Sequence, residues 1–287
     1  MSGGPDAFVG VPMDSSGTFD GCERMPAALR TAGVVDRLGL QDLGNLQAVI
    51  SDPRRHPGTG VIGWDDWLNA TEAIGTSIAS LLAVGATPLV SGGDCSMLPG
   101  IVAAIRESVP ACGLLFVDGH LDSYDGSTSP TGEAADMDLS MVLTGWPGGA
   151  PLLGGDRVVV IGARDSQEAL SNAGAYDPGS SGAAVHPWSA RFDPEVVAIA
   201  TGVALDGWGG HWLHVDLDVL STTTMPAVDY PQPGGLTWED LAVVLRPAFG
   251  DARLLGMSVA DLNPTLDVDG RAAEATVELL VSLQAGL

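Results

Sequence analysis

The stretch GLLFVDGHLD, residues 113–122, is an unbroken apolar run followed at once by Asp118, His120 and Asp122. A strand with one wet face would alternate apolar and polar residues. An unbroken run marks a strand covered on both faces, as in a parallel sheet flanked by helices. The acids then fall at the strand's carboxyl end, which is where open α/β sheets bind their ligands.

The rest of the chain repeats this pattern. Further strands are predicted over 7–11, 87–90, 157–161, 212–217 and 254–261. Between them lie helical patterns over 26–32, 64–84, 99–108, 194–205, 238–249 and 272–283. Thr237 and Asp240 are spaced as a capping box ahead of the fifth helix. Strand–helix alternation predicts an α/β fold, a three-layer α/β/α sandwich on a central, mainly parallel sheet. All 287 residues are expected to form one domain. Two long loops, 123–135 and 221–235, each follow an aspartate-rich strand end.

Composition narrows the partners. There are 36 acidic and 12 basic residues, a formal net charge of −24, which disfavours nucleic acid and anionic membrane. It suits a cationic substrate or bound metal ions. The longest apolar runs, such as 78–84, are far too short to span a bilayer. The start, MSGGPDAFVGVP, lacks the basic and apolar regions of a secretory signal. Cys22, Cys95 and Cys112 are too sparse for a disulfide framework. A cytoplasmic protein with reduced thiols is expected.

Three segments carry chemistry: GGDCS (92–96), VDGHLD (117–122) and HVDLD (214–218). In an extended segment, residues two apart face the same way. Asp118, His120 and Asp122 can then converge, as can Asp216 and Asp218. Four gathered carboxylates repel one another unless cations neutralise them. One imidazole and four carboxylates make a hard, oxygen-rich site suited to Mn²⁺. That many ligands can hold two ions, typically ~3.5–4 Å apart. Taken singly, each aspartate also reads as an ordinary turn former at a strand end. The three together, each after a strand, carry the metal reading.

In this order the motifs resemble those of the ureohydrolase family, the arginases, agmatinases and their relatives, which carry GGDHS, DAHxD and a DxD strand. The segments TSPTGEAADM, IGARD, PQPGGLTWEDL and VADLNP extend the resemblance over nearly the whole chain. It implies a binuclear manganese site, two Mn²⁺ ions. Cys95, Asp118, Asp122 and Asp216 would hold one ion, and Asp118, His120, Asp216 and Asp218 the other. Asp122 would orient the attacking hydroxide and take its proton. Asp261 corresponds to the family's glutamate that holds the guanidinium group.

Two departures bear on the substrate. Cys95 stands where the family has a histidine; it reads as a thiolate ligand, the alternative being an inert buried thiol. Ala135 stands where the family has a proton-shuttling histidine, a kind of group worth roughly 10²–10⁴-fold in rate. A hydroxyguanidine is less basic than a guanidine and needs less help. The pair of changes resembles the Nω-hydroxy-L-arginine hydrolases of D-cycloserine biosynthesis, with hydroxyurea and L-ornithine as the implied products. Thr131 matches a family serine that contacts the substrate carboxylate. Gln167 falls where arginases place an aspartate for the α-amino group, leaving Glu168 or Glu133 to supply that charge. An arginase with an atypical ligand and an inactive metal- or partner-binding relative are the competing readings. The chain ends directly after its last helix, so a monomer is expected rather than an arginase-type trimer.

Overall fold

The computed structural model describes residues 4–171 and 175–286. In chain order the elements are β1 (Ala7–Gly10), α1 (Met25–Thr31), α2 (Val34–Leu38), β2 (Gln41–Asn45), α3 (Trp64–Ala83), β3 (Pro88–Ser91), α4 (Leu98–Ser108) and β4 (Cys112–Val117). They continue with α5 (Asp138–Thr144), β5 (Val158–Ile161), α6 (Ser166–Ser171), β6 (Ala184–His186), α7 (Pro194–Asp206), β7 (Gly210–Asp216), α8 (Trp238–Phe249), β8 (Leu254–Ala260) and α9 (Arg271–Ala285).

The strands form one eight-stranded sheet in the order β2-β1-β3-β8-β7-β4-β5-β6, and every pair is parallel. Side chains alternate between its faces. Leu115, Val117, Leu213 and Val215 pack on one side against Leu29, Leu205, Leu245 and Leu280 from α1, α7, α8 and α9. Leu114, Phe116 and Trp212 pack on the other against Ile74, Ile101 and Val142 from α3, α4 and α5. Helices on both faces make the expected three-layer α/β/α sandwich. Each fully buried large apolar side chain contributes roughly 1.5–3 kcal/mol, so the two cores anchor the central strands firmly.

The predicted strands and helices are present with ends moved by a residue or two. Five elements were not anticipated, β2, β6, α2, α5 and the six-residue α6, and the first four hid for a physical reason. Strand β2 reads QDLGN and is exposed throughout. It owes its form to pairing with β1 and to Arg30, whose Nε and Nη2 each donate to Asp42 at 2.9 Å. Strand β6 is a three-residue edge. Helix α2 is five residues between two glycines with positive φ, Gly33 and Gly39. Helix α5 is buried from Asp138 to Leu143, so it shows no amphipathic period. Among the described residues, no helix is long and apolar enough to cross a membrane.

The capping box at α8 is formed: Thr237 Oγ1 accepts the Asp240 N–H and the Asp240 carboxylate accepts the Thr237 N–H, both at 3.1 Å. Replacing Thr237 with Ala should cost about 1 kcal/mol. In urea unfolding the midpoint should fall while the slope stays unchanged.

Candidate metal centre

The four central strands, β3, β8, β7 and β4, end in the residues singled out above. Asp94 and Cys95 follow β3, Asp118 follows β4, Asp216 closes β7, and Asp261 follows β8. One local device recurs at three of these ends. Asp94 Oδ1 accepts the Ser96 N–H at 3.1 Å, Asp118 Oδ1 the His120 N–H at 2.6 Å, and Asp216 Oδ1 the Asp218 N–H at 2.7 Å. These are Asx turns, each aspartate bonding the backbone two residues on.

That geometry corrects the expected mechanism of convergence. Residues 118–122 are not an extended strand, and residues 217–219 form a turn of 3₁₀ helix capped by Asp216. Curled turns, rather than strand alternation, bring the acids together.

Gly93 stitches the ends to one another. Its N–H reaches Val11 O at 3.0 Å, and its carbonyl accepts the Asp261 N–H at 2.7 Å. A Cβ here would lie 1.8 Å from the Met13 carbonyl oxygen, so only glycine fits.

The side chains meet in overlapping groups whose donor atoms lie within 4.8 Å of one another: Asp118, His120 and Asp218; Asp216, Asp218 and Asp261; and Cys95, Asp118 and His214. Cys95 Sγ is 2.6 Å from Asp216 Oδ2 and 4.0 Å from Asp118 Oδ2. The oxygens of Asp118 and Asp216 not used in their turns thus face the sulfur. His120 Nδ1 lies 2.6 Å from Asp218 Oδ2, whose Oδ1 accepts the Gly119 N–H at 2.9 Å. Asp122 is outside these groups but lines the same cavity. Asp122 (φ 43°) and Asp261 (φ 65°) both hold left-handed backbone, strain that tends to collect at functional sites.

Two neighbours were missed. His214 is wholly buried with Nε2 3.2 Å from Cys95 Sγ. Its signal was a polar residue inside a buried strand, two before Asp216. Asp138 is wholly buried with neither carboxylate oxygen in a hydrogen bond; its charge bears on Cys95 and Asp122.

Without a cation this cluster resists ionisation. Burial first, and then neighbouring carboxylates, push Asp118, Asp122, Asp216 and Asp261 well above the usual carboxylate range. Burial, then Asp216 and Asp118, push the Cys95 thiol up. Only Asp218 is depressed: burial opposes its charge, but His120, Arg164 and the Gly119 N–H together outweigh that. Burial likewise opposes charge on His120, yet Asp218 holds it at about 9. A buried set of oxygens and one sulfur that outnumbers its cationic neighbours His120 and Arg164, with orphaned oxygens on Asp138 and Asp261, is chemically a site for divalent cations.

The acids open into a cavity of about 410 Å³. Thr131, Glu133, Ala135, Glu168 and Asp261 line it, and among the described residues no lysine or arginine does. Glu133 accepts the Tyr230 hydroxyl at 2.8 Å, and burial raises its carboxyl to about 7. The Thr131 hydroxyl donates to Asp136 at 2.7 Å and accepts the Glu133 N–H at 3.0 Å. The side chain of Gln167 lies outside the described residues.

A parallel sheet sheathed by helices, with a carboxylate cluster over its central strand ends, defines an α/β enzyme built around divalent cations. The arginase family model matches residues 5–285, and the chain belongs to the arginase family. It is a ureohydrolase, a hydrolase of amidino C–N bonds. The arginase of Brevibacillus brevis is 28% identical over 290 residues, covering 96% of each chain. The structure of Bacillus caldovelox arginase superposes with a TM-score of 0.86 at 27% identity, over 98% of each chain. Formimidoylglutamase of Bacillus subtilis shares the fold, with a TM-score of 0.75 at 18% identity over 99% of this chain and 87% of that one.

The raised carboxyls predict a pH signature. A group whose folded pKa is raised stabilises the fold below its ordinary pKa and loses that contribution as pH climbs through the folded value. Chelator-treated protein should therefore melt at a lower temperature near about pH 8 than near about pH 5. A divalent cation should raise the melting temperature, and more at the higher pH, because its ligands must be deprotonated. Thermal unfolding at both pH values, with and without Mn²⁺, checks this.

Proposed function

We propose that the chain hydrolyses Nω-hydroxy-L-arginine to hydroxyurea and L-ornithine, using two manganese ions held by Cys95, Asp118, His120, Asp122, Asp216 and Asp218. The resemblance noted above extends this to a step in antibiotic (D-cycloserine) biosynthesis. A cytoplasmic setting accords with three free, buried cysteines.

The observation that carries the reading is Ala135 in the cavity wall, with His120 engaged by Asp218. No histidine among the described lining residues is free to hand a proton to the leaving nitrogen. A substrate that is already less basic suits such a cavity. When bound, the ions supply Lewis acidity and make water a stronger acid. The chain's own groups do the rest. Asp261, with one oxygen lacking a partner, accepts N–H bonds from the guanidino group and holds its carbon toward the acids. Asp122 takes the proton of the attacking water and returns it to the departing ornithine nitrogen as the C–N bond breaks. Glu133 and Glu168 face the substrate's far end, where their charge suits an ammonium group.

A second reading has its own support. The Thr131 hydroxyl hydrogen is committed to Asp136, and among the described residues no lysine or arginine lines the cavity to meet a carboxylate. Both features favour a guanidino amine without a carboxylate, such as agmatine.

One assay separates these readings. Metal-loaded protein is offered Nω-hydroxyarginine, arginine and agmatine, and kcat/KM is compared. Hydroxyarginine should be preferred by about tenfold or more, roughly 1.4 kcal/mol of barrier. Equal turnover, or preference for either rival, would sink the proposal. A separate prediction concerns Cys95→Ala, which should lower the metal content of purified protein. Unchanged content by elemental analysis would remove the thiol from the ligand set.

A further inference from the structure

The histidine behind Cys95 is bound into a directional chain. His214 sits on β7, directly across from Ser258 on β8 and Phe116 on β4. Phe116 stacks on its ring, centroids 5.5 Å apart at 23°. Trp212 Nε1 approaches Ser258 Oγ at 2.9 Å, Ser258 Oγ lies 2.7 Å from His214 Nδ1, and His214 Nε2 lies 3.2 Å from Cys95 Sγ. All of these side chains are buried.

The donor inventory sets the direction of this chain. An indole N–H can only donate, so Ser258 Oγ accepts from Trp212. The Ser258 hydroxyl still carries a hydrogen, and its other partner is His214 Nδ1. Donating there makes Nδ1 an acceptor. A neutral imidazole then carries its hydrogen on Nε2, aimed at the sulfur. The opposite tautomer would direct two N–H donors at one hydroxyl and strand the hydroxyl hydrogen in a dry core, at a cost of about 1–3 kcal/mol.

We propose that His214 is a positioning residue whose Nε2–H donates to the Cys95 sulfur, steering it toward the metal centre and sharing its charge. The relay runs Trp212 to Ser258 to His214 to Cys95. The inference deepens the proposed function and rests on its reading of Cys95 as a ligand. It also distinguishes His214 from a ligand in its own right, which its place within 4.8 Å of Cys95 and Asp118 would permit. A metal-binding Nε2 could not carry the hydrogen. Groups that hold a ligand in this way are worth about 10–100-fold in metal affinity.

Two measurements test it. Nitrogen-15 NMR of histidine-labelled protein, metal-free and zinc-loaded, reads the His214 tautomer. A hydrogen on Nε2 with Nδ1 bare is expected in both. A hydrogen on Nδ1, or a zinc-bonded Nε2, overturns the proposal. In the cobalt-loaded protein, His214→Phe removes the donor while keeping a stacked ring, and His214→Gln offers an amide N–H at the Nε2 position. The sulfur-to-cobalt charge-transfer band should move to longer wavelength in His214→Phe, with cobalt affinity down about 10–100-fold, and should return toward its starting position in His214→Gln. A band and affinity unmoved by His214→Phe overturn the proposal. Should unaltered cobalt protein show no such band, the failure belongs to Cys95 as ligand. The tautomer read by NMR then still decides the hydrogen bond, and it does so even if His214→Phe does not fold.

Discussion

Like charges held close together in a dry interior govern this molecule. Two carboxylates about 4 Å apart repel by roughly 4 kcal/mol at the effective dielectric of a protein site. Here Asp118, Asp122, Asp138, Asp216, Asp218 and Asp261 are all buried around one point. The cations beside them are His120 and Arg164, and both are engaged at Asp218. The central strands carry no carboxylate before their ends, so such groups gather at the end of the sheet. The fold therefore concentrates at β3, β8, β7 and β4 the charge that it excludes everywhere else in the core. Cations are the natural completion of that arrangement.

The Asx turns make the crowding geometrically useful. Asp118 and Asp216 each spend Oδ1 on a backbone N–H and present Oδ2 to the sulfur. The ordinary turn-forming role of a strand-end aspartate and its role in the site are thus the same conformation. A choice between a dull and a functional reading of these residues was not needed, since one oxygen serves each.

Much of this was legible because burial writes itself as unbroken apolar runs. Strands β4 and β5 stood out for that reason, β4 with its trailing acids. Elements stabilised by partners rather than by their own composition did not. Strand β2 depends on β1 and Arg30, and α5 is buried all round and so lacks a period. Asp118, His120, Asp216 and Asp218 do gather, with Asp122 outside their groups, but through Asx turns rather than the extended backbone expected, since both bring residues two apart to one side. His214 belonged to a quoted motif and shares the parity of Asp216, yet its partner Ser258 lies 44 residues away and shows itself only in the sheet register. Asp138 had no local signal at all: an acid at the start of a short helix looks like any favourable first-turn residue.

The proposed substrate accords with the charge at the centre. On the proposed reading, a thiolate in a histidine's place would add a negative charge beside the first ion, and the buried Asp138 would add another once a cation offsets its burial. Both hold a dication more tightly, and both make it a weaker Lewis acid. The hydrogen bond from His214 offsets part of that by drawing charge off the sulfur. A centre so rich in electrons is poorly matched to a guanidinium, whose inertness demands strong activation and a proton donor at the leaving nitrogen. On the same reading, the proton donor would stand at position 135, which is an alanine here. A hydroxyguanidine reverses the balance, because more of it is neutral and its carbon is less protected by resonance. On this reading the sulfur ligand and the missing acid–base group are one adjustment, since each lowers the power of the centre in a way that only an easier substrate tolerates.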